Sequence, residues 1–332
     1  MVENNPAQHA DLAACLGPPA ATAERVLALL LKHRRGGAPG AGTREERMLR
    51  SMHLPCIEHW VARGEALQMV LPAFPAKSPN LRKVLGALPD MAERLALASL
   101  QSLCEQIGTL HAPGARIILC SDGQVFGDLV GVTDAAVQAY RAGLLEMCAE
   151  LGGHRLSLLT LADAVPDPLN APWASPSAQR AWLLDRFGQS LDAVRGALLS
   201  STAGRQLLCG ISRFLREDDD ATMVSTPTQA RQRAKRRAYQ VIQRSQAWSA
   251  LIAARHPDAL RLSIHPQPAD SRKFGIRLLA CHDAWLTPWH GVAVQRADGF
   301  ALMKRYQAEQ AGARRVMIAG RPSHFILGEP AA

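Results

Sequence analysis

The chain has 332 residues, room for one large or two ordinary domains at about 100–200 residues each. With 48% hydrophobic residues it can fill a core, and with only 20% charged residues it does not have the composition of a disordered chain. The 38 Lys+Arg outnumber the 29 Asp+Glu by 9, an excess that fits nucleic acid, a phosphorylated small molecule or no partner at all.

No apolar run approaches the ~20 residues of a membrane helix. The N-terminus carries Glu3 and no early basic segment, so no secretory signal is expected. Seven cysteines, an odd number without a close pair, suggest neither a disulfide framework nor a zinc knuckle. Most sit in apolar contexts and read as small buried hydrophobes, which points to a reducing compartment, the cytoplasm. The eleven histidines contain no H-E-x-x-H, and His282-Asp283 lacks the spacing of an iron triad, so no metal site is expected.

Residues 1–21 are Ala/Pro-rich and read as loosely ordered. Thr22 to Arg35 places Val26, Leu27, Leu30 and Leu31 on one helical face. The glycine-rich stretch Arg35–Gly42 reads as a flexible connection, and Glu45–Arg63 as a second helix. Leu67–Pro72 reads as a strand. Asp90 with Glu93 caps a helix to Ile107. Ala115–Cys120 is a buried strand leaving through the turn Ser121-Asp122-Gly123, where Gly123 would supply a positive φ. Thr133 caps a helix to about Leu151, and Arg155–Leu161 is a third strand. Alternating strands and helices predict a parallel α/β sheet.

Residues 175–255 read as largely helical, with Ser175-Pro176 and Thr226-Pro227 as N-caps followed by proline. Strands then return at Leu260–Ile264, Phe274–Leu279, Gly291–Gln295, Phe300–Met303, Arg315–Ile318 and His324–Leu327, with Asp298-Gly299 as a hairpin turn. The expected fold class is α/β: a Rossmann-like sheet, parallel in its N-terminal half, a helical insertion, and a mixed or antiparallel C-terminal part. Residues 1–42 are expected to form a flexible segment with a helix, and 43–332 a single catalytic domain.

Arg231, Arg233, Lys235, Arg236, Arg237 and Arg244 crowd one predicted helix. They read as a solvated face balanced by Glu217–Asp220 rather than a nucleic-acid surface, because no reader motif accompanies them. Tyr239 and Trp248 nearby read as core.

Five stretches carry candidate chemistry. Lys77, Ser78, Asn80, Arg82 and Lys83 lie on a Pro-rich loop after a strand and offer donors to an anion. Ser121, Asp122 and Asp128 follow a buried strand, where open α/β sheets place ligands. His265 stands at a strand end, with Lys273-Phe274-Gly275 close behind it in sequence. Trp285, Trp289 and His290 offer an aromatic pocket with a titratable group. Arg321 and Ser323, after the strand ending at Ile318, suit a phosphate or carboxylate.

Taken in order, FPAKSPN…KVLG (74–86), LPDMAE (88–93), CSDGQVFGDLVGV (120–132), SIHPQ (263–267), KFGIRLL (273–279), TPWHGVAV (287–294) and LMKRYQAEQAGARRV…GRPSHF (302–325) resemble the isocyanide (isonitrile) synthase family, also called the pyoverdine/dityrosine biosynthesis family. The resemblance spans about residues 67–327. It implies conversion of the α-amino group of tryptophan or tyrosine to an isonitrile, with ribulose 5-phosphate as carbon donor. The implied chemistry needs no redox metal or cofactor, and a separate iron/2-oxoglutarate oxygenase acting on the product is an expected partner. The resemblance calls for a phosphate grip, proton transfer and an amino-acid pocket. By residue chemistry, Lys77, Lys83, Arg321 and Ser323 are the candidates for the grip. Lys77, His265 and His290, assisted by Asp122, are the catalytic candidates. Trp285 or Trp289 would wall the pocket, and Asp122 or Asp128 would meet the ammonium. An inactive α/β binding protein and a basic nucleic-acid-binding protein are the alternatives.

Overall fold

The computed structural model describes residues 19–152, 154–166, 174–219, 226–281, 283 and 285–328. The first eighteen residues, Cys15 and His282 therefore lie outside the described residues. The first half of the chain runs α1 (Pro19–Lys32), α2 (Arg44–Ala62), β1 (Leu67–Pro72), α3 (Met91–Leu110), β2 (Ala115–Cys120), α4 (Gly123–Val130), α5 (Asp134–Glu150), β3 (Leu156–Leu159) and α6 (Leu161–Ala164). The helical middle is α7 (Pro176–Phe187), α8 (Leu191–Ser200), α9 (Thr202–Asp218) and α10 (Pro227–Arg255). The chain then continues through β4 (Leu260–Ser263), β5 (Phe274–Gly275), β6 (Val292–Arg296), β7 (Gly299–Met303), α11 (Arg305–Gln310), β8 (Arg314–Ile318) and β9 (Arg321–Ile326).

The α/β expectation holds in both halves. One sheet has the order β3-β2-β1-β4-β5 with all pairs parallel. A second sheet, β7-β6-β9-β8, is mixed: β6–β7 and β8–β9 are antiparallel and β6–β9 is parallel. The first sheet is covered on both faces, as parallel sheets require. Leu67, Met69 and Leu71 of β1 join α1, α2, α3 and α5 in the main core, while Val70 points the other way to Val125, Trp248 and Leu251. The face of α1 expected from its periodicity (Val26, Leu27, Leu30) lies in that main core.

Local signals fixed most helix starts. Asp90 and Glu93 form a capping box on α3, Thr133 caps α5, Ser175 caps α7 and Thr226 caps α10. Three readings are corrected. The strand expected over Phe274–Leu279 is only two residues long, because the chain turns aside to meet the exit of α1. There Arg35 N bonds Gly275 O at 2.9 Å and Arg277 N bonds His33 O at 2.9 Å. Arg321 does not leave a strand but begins β9. Ile318 pairs with Arg321 across a two-residue turn in which Ala319 and Gly320 both have positive φ. Gly123 does not supply a positive φ; it opens α4.

Gly123 is required for space. A Cβ there would run into the Pro75 carbonyl oxygen and come within 2.8 Å of Val137 Cγ1. The Pro-rich loop and α4 therefore touch backbone to backbone. Gly123→Ala must push the loop away, and overpacking of this kind costs about 1–3 kcal/mol. The variant should show a lower urea midpoint with an unchanged m-value; an unaltered midpoint would refute the close approach.

Candidate active site

The carboxyl ends of β1, β2 and β4 open onto a cavity of about 180 Å³. Its walls come from the Pro-rich loop after β1, the start of α4, the ends of α9 and β4, and the turn Pro288–His290. Of the residues singled out in the sequence, it brings together Lys77, Ser78, Asp122, His265, Trp289 and His290.

The loop is stitched in place from several sides. Ser78 N bonds Trp289 O at 2.9 Å, and Ser121 Oγ donates to Phe74 O at 2.8 Å. Phe74 has φ 57°, a left-handed conformation that costs a non-glycine residue about 1–3 kcal/mol unless its surroundings enforce it. Its ring packs on Trp289 with centroids 5.2 Å apart.

Lys77 is fully buried and is not free to grip a phosphate. Its Nζ lies 2.8 Å from Asp90 Oδ2, 2.8 Å from Glu93 Oε2 and 3.1 Å from Pro288 O. Burial alone would lower its pKa; the two carboxylates outweigh burial and raise it. Burial pushes the Glu93 carboxyl up while the Lys77 ammonium pulls it down, and Tyr140 donates to its Oε1 at 3.0 Å. The cap of α3 is therefore also the counterion of the loop lysine.

Lys83 is neutralised as well, 2.6 Å from Asp218 Oδ1 and 3.4 Å from Glu217 Oε2. Asp218, at the end of α9, also accepts from Ser78 Oγ at 2.8 Å, and its Oδ2 lies 4.0 Å from His290 Nε2. The sequence signal for Asp218 was an acidic run that reads as countercharge to the basic helix. That helix finds other partners: Arg237 and Arg233 pair with Asp219, and Arg244 with Asp128. These three arginines are half-buried ties between helices, and only Arg231, Lys235 and Arg236 match the solvated face expected. Tyr239 and Trp248 are buried as expected.

Outside the ion clusters of Lys77 and Asp218, the titratable groups of the cavity are shifted toward their uncharged forms. Burial pushes the Asp122 carboxyl up to about 7, and its Oδ1 has no hydrogen-bond partner among the described residues. Burial, then the charges of Arg35 and Lys273, holds His265 down to about 4, and its Nδ1 is buried without a partner. His290 lies well below the usual imidazole range through burial and the nearby cation Lys83; its Nδ1 is 2.8 Å from Thr287 Oγ1. Two neutral imidazoles and one carboxyl poised near neutrality are a set suited to proton transfer.

The remaining candidates lie off the cavity wall. Trp285 is 65% exposed and packs on the His265 ring at 4.9 Å, on the solvent side. Asp128 is held by Arg244 and Arg180 and is not available to an ammonium there. Asn80 caps the loop through Arg82 N and donates to Glu217 O. Ser121 is engaged with Phe74 O. Arg321 and Ser323 belong to β9 in the second sheet, where Arg321 is exposed and Ser323 bonds His324. Among the cysteines, Cys104, Cys120 and Cys148 are buried as expected, but Cys209 is exposed. Among the described residues no helix is long and apolar enough to cross a membrane.

A cavity at the carboxyl ends of parallel strands, with largely apolar walls and a few convergent polar groups, is where an α/β protein holds a small molecule. A family model described as pyoverdine/dityrosine biosynthesis protein matches residues 57–316, and the chain belongs to that family, the isocyanide (isonitrile) synthases. It is 47% identical over 289 residues to an L-tyrosine isonitrile synthase of Pseudomonas aeruginosa, covering 87% of this chain and 88% of that protein. It is 42% identical over 278 residues to the L-tryptophan isonitrile synthase AmbI2 of Fischerella ambigua, covering 83% of this chain and 82% of that one. The crystal structure of the PvcA protein from Pseudomonas aeruginosa superposes with a TM-score of 0.85 at 45% identity, over 92% of this chain and 99% of that chain.

Two measurements test the site. Removing one partner of a buried ion pair typically costs about 3–5 kcal/mol, so Lys77→Met should lower the urea midpoint sharply. A variant that keeps its stability and loses only turnover would move Lys77 from the frame to the chemistry. Asp122, with a pKa raised from 3.8 to about 7, binds a proton on folding between those values, so its contribution to stability declines as pH rises through that window. Asp122→Asn should therefore gain on the parent protein by a few kcal/mol as pH goes from about 4 to about 8. Parallel stability curves would return Asp122 to an ordinary carboxylate.

Proposed function

We propose that the protein is an isonitrile synthase acting on tyrosine or tryptophan, with ribulose 5-phosphate as the carbon donor, in the cytoplasm. The observation that carries this reading is the cavity's combination of aromatic walls with buried, uncharged proton-transfer groups. Trp289, Phe214 and Phe126 offer apolar surface to an aromatic ring: Trp289 is backed by Phe74 at 5.2 Å, and Phe214 stands edge-on to His290 at 4.7 Å. Asp122, His265 and His290 meet the acid–base demand. The tyrosine and tryptophan named for the two relatives support the substrate class.

The reaction begins with the amine nitrogen attacking the C2 ketone of the sugar, and loss of water gives an imine. Proton shifts, departure of phosphate and cleavage of both the C1–C2 and C2–C3 bonds then leave N≡C on the amino acid, with the isonitrile carbon coming from C2. Each of the early steps moves a proton, and a group titrating near 7 does so in both directions at neutral pH. Asp122 fits that role. His265 and His290, neutral in their buried settings, can accept a proton from one ring nitrogen while donating from the other. Loss of water is favoured in a cavity whose walls are largely apolar, whereas departing phosphate needs a cation or a proton to meet its charge.

Purified protein given L-tyrosine or L-tryptophan with ribulose 5-phosphate carrying carbon-13 at C2 should release an isonitrile with the label in its N≡C carbon. Mass spectrometry reads both points. Absence of product with both amino acids would overturn the proposal, and unlabelled isonitrile would overturn the assignment of the carbon.

A further inference from the structure

A sugar phosphate brings close to two negative charges at neutral pH, yet the cavity cations described so far are already spent. Lys77 faces Asp90 and Glu93, Lys83 faces Asp218 and Glu217, and Arg321 stands on the other sheet. A basic pair without such neutralisation lies one strand further along. In the parallel register of β4 and β5, Leu262 pairs with Phe274 and Ser263 with Gly275. One position earlier stand Arg261, on the opposite face of β4 from Leu262, and Lys273, in the bend that leads into β5. Leu262 points into the main core, so Arg261 points to the α10 side, the side from which Val241 lines the cavity.

Arg261 is anchored there: its Nη2 donates to Ser249 O at 3.2 Å and to Ser249 Oγ at 2.6 Å. That leaves Nε and Nη1 without a partner among the described residues. Lys273 is half-buried, and its ammonium makes no ion pair or hydrogen bond with a described residue. Burial and the charge of Arg261 both push its pKa down, so what surrounds it is apolar or cationic. Its charge reaches His265, whose ring lines the cavity and whose buried Nδ1 is unpartnered. A half-buried ammonium near a guanidinium, without a described carboxylate partner, costs free energy that a bound anion would relieve. Lys supplies a point charge and Arg a fork of donors, the two complementary ways of holding a phosphate.

We infer that Lys273 and Arg261, which do not line the cavity themselves, form a phosphate subsite beside it, next to its β4 end at Ile264 and His265. The identity of the sugar rests on the reading given under Proposed function; the anion subsite does not. The test compares the parent protein with Lys273→Met, which keeps the apolar stem, and Lys273→Arg, which keeps the charge. Thermal unfolding confirms that each is folded, and Lys273→Gln replaces the Met variant if that one is not. In steady-state isonitrile formation, Lys273→Met should raise KM for ribulose 5-phosphate ten-fold or more while KM for the amino acid stays within two-fold. Lys273→Arg should recover most of the loss. A smaller rise, or an equal rise for both substrates, overturns the subsite. If the parent protein forms no isonitrile, the reaction is wrong and calorimetric titration with inorganic phosphate decides the subsite. Binding that weakens at least ten-fold in Lys273→Met supports it; equal binding in both proteins, or none in the parent, overturns it.

Discussion

An ammonium group removed from water must be neutralised where it sits, and for Lys77 this happens between two carboxylates and a carbonyl that come from separate parts of the chain. Asp90 and Glu93 belong to the first turn of α3, Pro288 to the turn before β6, and Lys77 to the loop after β1. Removing any one of the three leaves an uncompensated buried charge or lone pair, so the elements are fixed relative to one another. The loop thus fixed carries Ser78 to Asp218 and Trp289 and brings Pro75 against Gly123. The left-handed Phe74 is tolerated inside the same frame, held by Ser121 and Trp289. The cavity is what remains between these anchored pieces.

That frame also sets the chemistry. Gly123 lets α4 begin directly under the loop, so Asp122 is half-buried and burial disfavours its charge. A helix N-terminus favours a carboxylate, but no side-chain cap bond forms at Asp122 and burial prevails. The same burial keeps the two histidines neutral. An ion cluster on one wall and uncharged acid–base groups on the other therefore share a cause: backbone packed so closely that charge survives only where a partner is built in.

How far this was legible in the sequence varied with the range of the interaction. Capping residues act within a turn, and Asp90, Thr133, Ser175 and Thr226 marked helix starts correctly. The strands at Leu67–Pro72 and Ala115–Cys120 were bounded by their own apolar runs. The strand ladder at Phe274–Gly275 was cut short by the exit of α1, some 240 residues earlier in the chain, and no local pattern contains that contact. The ordered motifs identified the residues that would gather, and Lys77, Ser78, Asp122, His265, Trp289 and His290 did gather. They did not assign roles. A lysine on a Pro-rich loop reads as a phosphate grip until its partners are seen, because Asp90 and Glu93 already had a complete explanation as a cap. Asp218 was hidden likewise, as one acid in a run opposite a basic helix.

The excess of basic residues, which began as an undivided number, separates by what each cation faces. Arg233, Arg237 and Arg244 tie α10 to its neighbours through Asp219 and Asp128. Lys77 and Lys83 are closed into carboxylate clusters that shape the cavity. Arg231, Lys235 and Arg236 meet solvent. A cation already paired has little to gain from a ligand, since a new anion must displace or repel the carboxylate that is there. A cation in solvent gains little as well, because water screens what it offers. The useful position is the intermediate one, half-buried beside another cation and without a carboxylate, where the protein bears an unfavourable charge that a bound anion removes. Lys273 and Arg261 occupy that position, Arg261 on the α10 side of β4 and Lys273 at the entry to β5.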